Sequence, residues 1–280
     1  MDILVSTQWL ADEIGATDLR IVDATYFLPE AKRDAAAEYA AEHVAGALYL
    51  NLTELVDSDN PLPNTLPPAE KFASRIAALG IGDGSRIVFY DNSPHRTAAR
   101  AWWLFRLYGV EKVAILDGGL AKWKAEGLPV ESGLPAPRHR HFTVRPDLAF
   151  FRDQAGVADA IASDSAGIVD ARSPARFTGE EAETRPGVAS GHMPGARNLP
   201  YSRFFHADGT WKRGDELKAL FTEAGIDLDR PMITTCGSGI TAAVVLFGAA
   251  LLGKSDVSLY DGSWSEWGAD PAAPKVTGTA

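Results

Sequence analysis

A single cysteine has the sequence surroundings that a reactive thiol needs. Cys236 is the only cysteine in the chain, and it lies between the apolar, β-branched run 231–235 and a second apolar run, 242–253. This order predicts a loop between the carboxyl end of a buried strand and the start of a helix, which is where parallel α/β sheets bind their ligands. Unpaired N–H groups and the dipole at a helix start stabilise a thiolate. We therefore expect Cys236 to act as a nucleophile.

The five residues after the cysteine, Gly-Ser-Gly-Ile-Thr, fit the same chemistry. Two glycines permit the tight curvature that turns successive N–H groups toward one point, where an anionic sulfur would be held. Ser238 adds a hydroxyl donor, and we expect it to be catalytic together with Cys236. The loop residues expected to bind substrate are Gly237, Gly239, Ile240 and Thr241.

Other interpretations of this loop are weaker. A lone cysteine is often a small buried hydrophobic residue, and a glycine-rich loop between strand and helix also occurs in nucleotide-binding folds. No second cysteine and no Gly-Lys-Ser/Thr sequence follows, which argues against thioredoxin-like and P-loop sites. A cysteine-based phosphatase would need an arginine six positions after the cysteine, and this chain has Ala242 there.

The chain is a duplication. Five landmarks of the first half recur in the second half in the same order, about 145 residues later. They are 21–24 and 168–171, 43–47 and 192–196, 70–81 and 215–226, 87–91 and 232–236, and 116–119 and 260–263. The period is too long for a solenoid, so we expect two whole domains, 1–132 and 152–280. The proline-rich segment 133–151 is the predicted linker, and we expect its basic run at 138–141 to be solvated rather than to bind metal.

Short β-branched runs alternate with helical patterns in each half. Runs 20–24, 86–90 and 113–117 are apolar on both faces, as in buried parallel strands. The pattern predicts helices over 68–79, with one apolar face, and over 98–107. This alternation predicts an α/β fold in which each domain has a parallel sheet flanked by helices.

Composition narrows the class of partner. Hydrophobic residues make up 46% and charged residues 23%, as in a globular protein. The formal net charge of −10 argues against nucleic acid or an anionic membrane as a partner. The N-terminus lacks the pattern of a signal or transit peptide, and one cysteine permits no internal disulfide. We expect a reducing compartment, the cytoplasm.

The loop and the repeated landmarks together resemble a known family. Cys-Gly-Ser-Gly-Ile-Thr is similar to the active-site loop of the rhodanese superfamily, specifically of its tandem-domain 3-mercaptopyruvate sulfurtransferases. The segment 192–198 and the motifs that close each repeat, 116–123 and 260–267, resemble other landmarks of that family. The resemblance spans nearly the whole chain and implies two rhodanese-like domains. Asp91 stands where Cys236 stands, and a carboxylate cannot accept sulfane sulfur, so the first domain should be catalytically silent.

Two arginines gain a role from this resemblance. Arg176 and Arg185 lie in a segment that carries substrate-binding arginines in the family, and arginine grips a carboxylate in a forked geometry. From the residues alone, surface ion pairs with Glu180, Glu181 or Glu183 would be the preferred interpretation. The family resemblance favours substrate binding instead.

The chain departs from the family pattern at one place. In mercaptopyruvate members an acidic residue and a histidine of the first domain accompany the loop serine as a proton relay. Those places fall on Thr53 and Asn64 here, and neither is a base near neutral pH. The departure weakens the choice of donor more than the reaction class.

His43 and His192 recur before the same Gly-Ala turn in both halves, so we expect them to be structural.

The expected reaction is a two-step sulfur transfer by covalent catalysis. Cys236 would take sulfur from 3-mercaptopyruvate as a persulfide and pass it to a small acceptor, cyanide or a thiol. Thiosulfate is the alternative donor, and a persulfide carrier without turnover is a further alternative. The chemistry requires neither a metal nor an organic cofactor. A thioredoxin-like reductant is the protein partner that it would use.

Overall fold

The computed structural model describes residues 1–279, which form two compact units. Unit 1 comprises Met1–Val56, Leu66–Asp147 and Phe205–Trp211. Unit 2 comprises Asp57–Thr65, Leu148–Phe204 and the described chain from Lys212 onward. Each half of the chain therefore contributes one short segment to the unit that is built mainly from the other half.

Unit 1 contains a five-stranded parallel sheet and a small two-stranded antiparallel sheet. Its strands are β1 (Leu4–Val5), β2 (Leu19–Asp23), β3 (His43–Val44), β4 (Leu48–Tyr49), β5 (Arg86–Tyr90), β6 (Val113–Leu116) and β7 (Val130–Glu131). The parallel sheet has the order β1-β6-β5-β2-β4, and β3 pairs with β7. Its helices are α1 (Thr7–Glu13), α2 (Ala35–Ala41), α3 (Ala69–Ala78), α4 (Ala98–Leu107) and α5 (Gly119–Ala125).

Unit 2 repeats the same topology. Its strands are β8 (Phe151–Arg152), β9 (Gly167–Asp170), β10 (Arg197–Asn198), β11 (Met232–Thr235) and β12 (Val257–Tyr260), all parallel in the order β10-β9-β11-β12-β8. Its helices are α6 (Gln154–Ser163), α7 (Pro174–Thr178), α8 (Gly214–Glu223), α9 (Ala242–Leu251) and α10 (Ser263–Trp267). Each strand of unit 2 has its counterpart at the same sheet position in unit 1. The predicted fold class is confirmed.

Burial explains why these runs form these elements. The central strands β5 and β11 are buried along nearly their whole length, as expected at the centre of a parallel sheet that is covered on both faces. The helices that follow them are buried on nearly all sides: nine of the ten residues of α4 and eight of the ten residues of α9 are buried. By contrast, α3 buries one face, through Phe72, Ile76 and Ala77. Strand β5 and helix α4 have the bounds that the sequence predicts.

The segment predicted to be a linker lies mostly against unit 1. The N–H groups of Arg140 and Arg145 donate to the carbonyls of Ala77 (3.0 Å) and Tyr108 (3.0 Å), while the side chains of the basic run 138–141 are exposed. No group of three His, Cys, Asp or Glu side chains suited to a metal occurs within residues 1–279. Over the same range, no helix has the length and apolar character needed to cross a membrane.

Candidate active site

Cys236 directly follows the last residue of β11, and α9 begins six residues later. Its thiol is buried, at 2% exposure, and forms no disulfide. Gly239 has φ +77°, a left-handed conformation that glycine adopts without steric cost. Cys236 thus lies at the carboxyl end of the central strand, in the turn that leads to the start of α9.

Residues of α10, which follows much later in the chain, form hydrogen bonds with the loop backbone. The Cys236 N–H donates to the Ser263 hydroxyl (3.2 Å), and the Trp264 N–H donates to the Cys236 carbonyl (3.0 Å). The Ser265 N–H (2.9 Å) and its hydroxyl (2.5 Å) both donate to the Gly237 carbonyl. The carbonyls of Cys236 and Gly237 therefore accept hydrogen bonds from residues of α10.

Arg176 and Arg185 meet over Gly237. A Cβ placed on that glycine would lie 3.2 Å from Nη2 of Arg176 and 3.6 Å from Nη1 of Arg185. The sequence suggests that Gly237 provides backbone flexibility, but this residue does not have a positive φ. The close approach of two guanidinium groups leaves little space for a side chain at this position unless the arginines shift.

A buried ion network holds Arg176 in this place. Its Nε and Nη2 donate to the Glu183 carboxylate at 3.2 and 2.6 Å, and Arg172 Nη1 donates to the same carboxylate at 2.8 Å. Arg172 also pairs with Asp170 at 2.6 Å. Burial lowers the pKa of Arg172, but Asp170 and Glu183 more than offset this, so its charge is secure.

The alternative interpretation, in which both arginines form surface ion pairs, holds for neither residue as stated. Arg176 does pair with Glu183, but the Glu183 side chain is 1% exposed, so the pair is not a surface one. Among residues 1–279, no side chain forms an ion pair or hydrogen bond with Arg185. The guanidinium of Arg185 is the group of this cluster that no carboxylate neutralises.

Ser238 and Ile240 are buried in the loop, and Thr241 precedes the first residue of α9. The Ser238 hydroxyl accepts a hydrogen bond from Nδ2 of Asn64 at 3.1 Å. Both residues belong to unit 2. Thr53 belongs to unit 1, where its hydroxyl donates to Oδ1 of Asn51 at 2.7 Å. Of the two relay places considered above, Asn64 contacts the loop serine.

The two repeated histidines have matching structural contacts. Nδ1 of His43 lies 2.7 Å from the Tyr39 carbonyl, and its ring stacks on that tyrosine at 4.0 Å. Nδ1 of His192 lies 2.9 Å from the Phe177 carbonyl, and its ring stacks on Phe177 at 3.7 Å. The same contact in both units fits the expected structural role.

In unit 1 the corresponding loop is occupied by its own side chain. The Asp91 carboxylate accepts hydrogen bonds from the N–H groups of Ser93 (2.9 Å) and Ala98 (2.8 Å). Burial raises the pKa of Asp91 to about 6, while these two N–H groups and Arg96 oppose the shift. A carboxylate built into the chain thus takes one N–H group of its own loop and the N–H group of the first residue of α4.

Sequence reasoning missed several residues of the site. Ser263 and Ser265 lie in the motif that closes the second repeat, and the recurrence of that motif was a usable signal for a role shared by both repeats. Unit 1 has a related contact there, because the Leu120 N–H donates to the Asp91 carbonyl at 3.2 Å. Arg172 carried no signal apart from its place just after β9.

Comparisons with known proteins agree with this geometry. The model of the rhodanese-like domain matches residues 6–126 and 153–270. The chain is 39% identical over 270 residues to human 3-mercaptopyruvate sulfurtransferase, covering 94% of this chain and 91% of the human protein. It is 37% identical over 270 residues to thiosulfate sulfurtransferase of Gallus gallus, covering 94% and 92%. The crystal structure of the Escherichia coli 3-mercaptopyruvate sulfotransferase SseA superposes with a TM-score of 0.87 at 38% identity, covering 95% of this chain and 100% of that one. The chain therefore belongs to the rhodanese family, among its tandem-domain 3-mercaptopyruvate and thiosulfate sulfurtransferases.

Proposed function

We propose that this enzyme transfers sulfane sulfur from 3-mercaptopyruvate to a thiophilic acceptor through a persulfide on Cys236. The observation that carries the proposal is the approach of Arg176 and Arg185 to Gly237, the residue next to the only cysteine. A nucleophilic sulfur and two guanidinium groups at one loop suit a small donor with both a sulfur and a carboxylate.

The first step forms the persulfide. The Cys236 thiolate attacks the sulfur of mercaptopyruvate, an S–S bond forms, and the C–S bond of the donor breaks. The electron pair of that bond passes to the donor's carbon and carbonyl oxygen, and protonation at carbon gives pyruvate. N–H groups of the loop stabilise the negative charge on the persulfide.

The second step returns the enzyme to its starting state. A thiolate or cyanide attacks the outer sulfur, and the S–S bond breaks to restore the Cys236 thiolate. The product is a new persulfide or thiocyanate. In the cell, a thioredoxin-like protein would serve as reductant, and the dependence on one reduced thiol favours the cytoplasm.

The charge of the cluster favours mercaptopyruvate over thiosulfate. Three arginines and two carboxylates, Arg172, Arg176, Arg185, Asp170 and Glu183, leave one net positive charge. Mercaptopyruvate brings one carboxylate, which this charge matches. Thiosulfate is a dianion, and Gly237 and Ser238 add no charge after the cysteine to balance the second negative one.

Thiosulfate remains the second candidate donor because of Asn64. An amide beside Ser238 cannot serve as a general base near neutral pH. A donor that needs no proton relay would fit such a site, and one of the relatives named above is a thiosulfate sulfurtransferase.

Replacing Cys236 by alanine tests the proposal. Wild-type protein treated with mercaptopyruvate should gain the mass of one sulfur, and Cys236→Ala should gain none and lose turnover with either donor. With a common acceptor, mercaptopyruvate should give the larger kcat/KM. Turnover by Cys236→Ala would refute the mechanism, and a preference for thiosulfate would refute only the donor assignment. A carrier would show the added mass without turnover.

A further inference from the structure

Asn64 reaches the catalytic loop across 174 positions of sequence. It lies in Asp57–Thr65, the segment of the first half of the chain that belongs to unit 2. Its amide nitrogen Nδ2 is 3.1 Å from Oγ of Ser238, and Ser238 is 6% exposed. Ser238 in turn lies two positions after Cys236, so this amide contacts a group at the reacting centre.

The chemistry of the amide fixes the direction of this hydrogen bond. An NH₂ group only donates, so Oγ of Ser238 accepts. A hydroxyl carries one proton, and because Oγ accepts from Asn64 that proton remains available for a different partner. An imidazole at the same place would donate or accept according to its protonation, whereas the amide keeps one role at every pH near neutrality.

We propose that Asn64 is a positioning residue that directs the Ser238 hydroxyl proton toward the carbonyl oxygen of the donor, independently of pH. This inference rests on the proposed function. When the C–S bond of mercaptopyruvate breaks, negative charge develops on that oxygen, and a hydroxyl aimed at it stabilises the charge by hydrogen bonding. No proton has to move between Asn64 and Ser238, so the missing base is not needed at this step.

A conformational role for Asn64 is the competing explanation. Its φ is +61°, in the left-handed region that asparagine tolerates better than most residues. The turn alone could therefore require asparagine. The two roles separate experimentally, because glycine also accepts this conformation but has no amide side chain.

Three substitutions at this position form the test. Asn64→Gly keeps the backbone conformation and removes the donor. Asn64→Asp keeps the size of the side chain and tolerates the conformation. Its carboxylate only accepts hydrogen bonds, so the Ser238 hydroxyl would donate to it and not to the donor. Asn64→His restores a titratable group. We would measure kcat and KM with mercaptopyruvate from about pH 6 to about 9, with thermal unfolding as the fold control.

The proposal predicts that Asn64→Gly lowers kcat about tenfold with little change in KM, as expected for an interaction strongest in the transition state. Asn64→Asp should fall below Asn64→Gly. Wild-type kcat should lack an inflection that Asn64→His acquires at about pH 6.5. In a Ser238→Ala background, Asn64→Gly should have no further effect on kcat.

Wild-type kcat in Asn64→Gly would overturn the proposal and leave only the conformational role. Equal loss in Asn64→Gly with and without Ser238 would also overturn it, since the amide would then act elsewhere. Failure of the proposed function has a different signature, namely no donor-derived sulfur on Cys236 of the wild-type protein. The mass measurement and the Asn64 kinetics therefore fail independently.

Discussion

Arg176 and Arg185 should respond differently to truncation, although both lie near Gly237. Arg185 has no ion-pair partner within residues 1–279, so Arg185→Ala removes the proposed donor-binding group without breaking an ion pair of the fold. A charge-assisted hydrogen bond contributes about 1.5–3 kcal/mol, which corresponds to a loss of about 10- to 100-fold in kcat/KM with mercaptopyruvate. The melting temperature should remain close to that of the wild type.

Arg176→Ala should cost stability as well as activity. The Glu183 side chain is 1% exposed and is shared between Arg176 and Arg172. Removing Arg176 leaves this buried carboxylate with Arg172 only, at a cost of about 1–3 kcal/mol in the free energy of unfolding. The same change should lower the melting temperature by several degrees, about 2–4 °C per kcal/mol for a chain of this size.

Steady-state kinetics and thermal unfolding measure the two effects on the same samples. Arg197→Ala is the matched control, because Arg197 is exposed in unit 2 and the substitution makes the same change in charge. Alkylation of Cys236 by the neutral reagent iodoacetamide should change little in any variant. Unchanged kinetics in Arg185→Ala would refute the assignment of this residue. Equal destabilisation in both variants would refute the difference drawn from Glu183.

Two further substitutions test the environment of Asp91 and the donor preference. The pKa of Asp91 is raised to about 6 from an ordinary value of 3.8, so the folded state binds more protons than the unfolded state between these values. Stability from this group is complete below about pH 4 and is lost, by about 3 kcal/mol, as the pH rises through 6. Denaturant midpoints of Asp91→Asn should lack this decline, and parallel pH curves for the two proteins would contradict it. Ser238→Lys adds positive charge two positions after the cysteine and leaves Gly237 unchanged, and it should move the ratio of kcat/KM values toward thiosulfate relative to Ser238→Ala, which lacks the same hydroxyl. An unchanged ratio in competition assays would count against the charge argument.

The sequence determines the local elements of this protein more fully than its long-range contacts. The strand Arg86–Tyr90 and the helix Ala98–Leu107 were predictable because largely apolar runs leave few alternatives for their burial. The place of Cys236 followed from the same local pattern.

The network around Glu183 and the bond between Asn64 and Ser238 were not predictable in this way. The first depends on the packing of a loop against β9, and the second joins residues 174 positions apart. The sequence suggested that Gly237 serves backbone curvature, whereas the structure places two guanidinium groups of another segment against it. Contacts of this kind have no periodicity that a sequence pattern could show.

The attachment of the catalytic loop to α10 has a consequence for the order of assembly. Cys236 and Gly237 receive their backbone partners from Trp264 and Ser265, which follow 28 residues later in the chain. Closing such a loop costs chain entropy, which is recovered only after β12 has joined the sheet. Cys236 therefore cannot acquire these backbone partners before synthesis has passed residue 265. A chain released before that point would carry the thiol without the hydrogen bonds that α10 gives to the loop backbone.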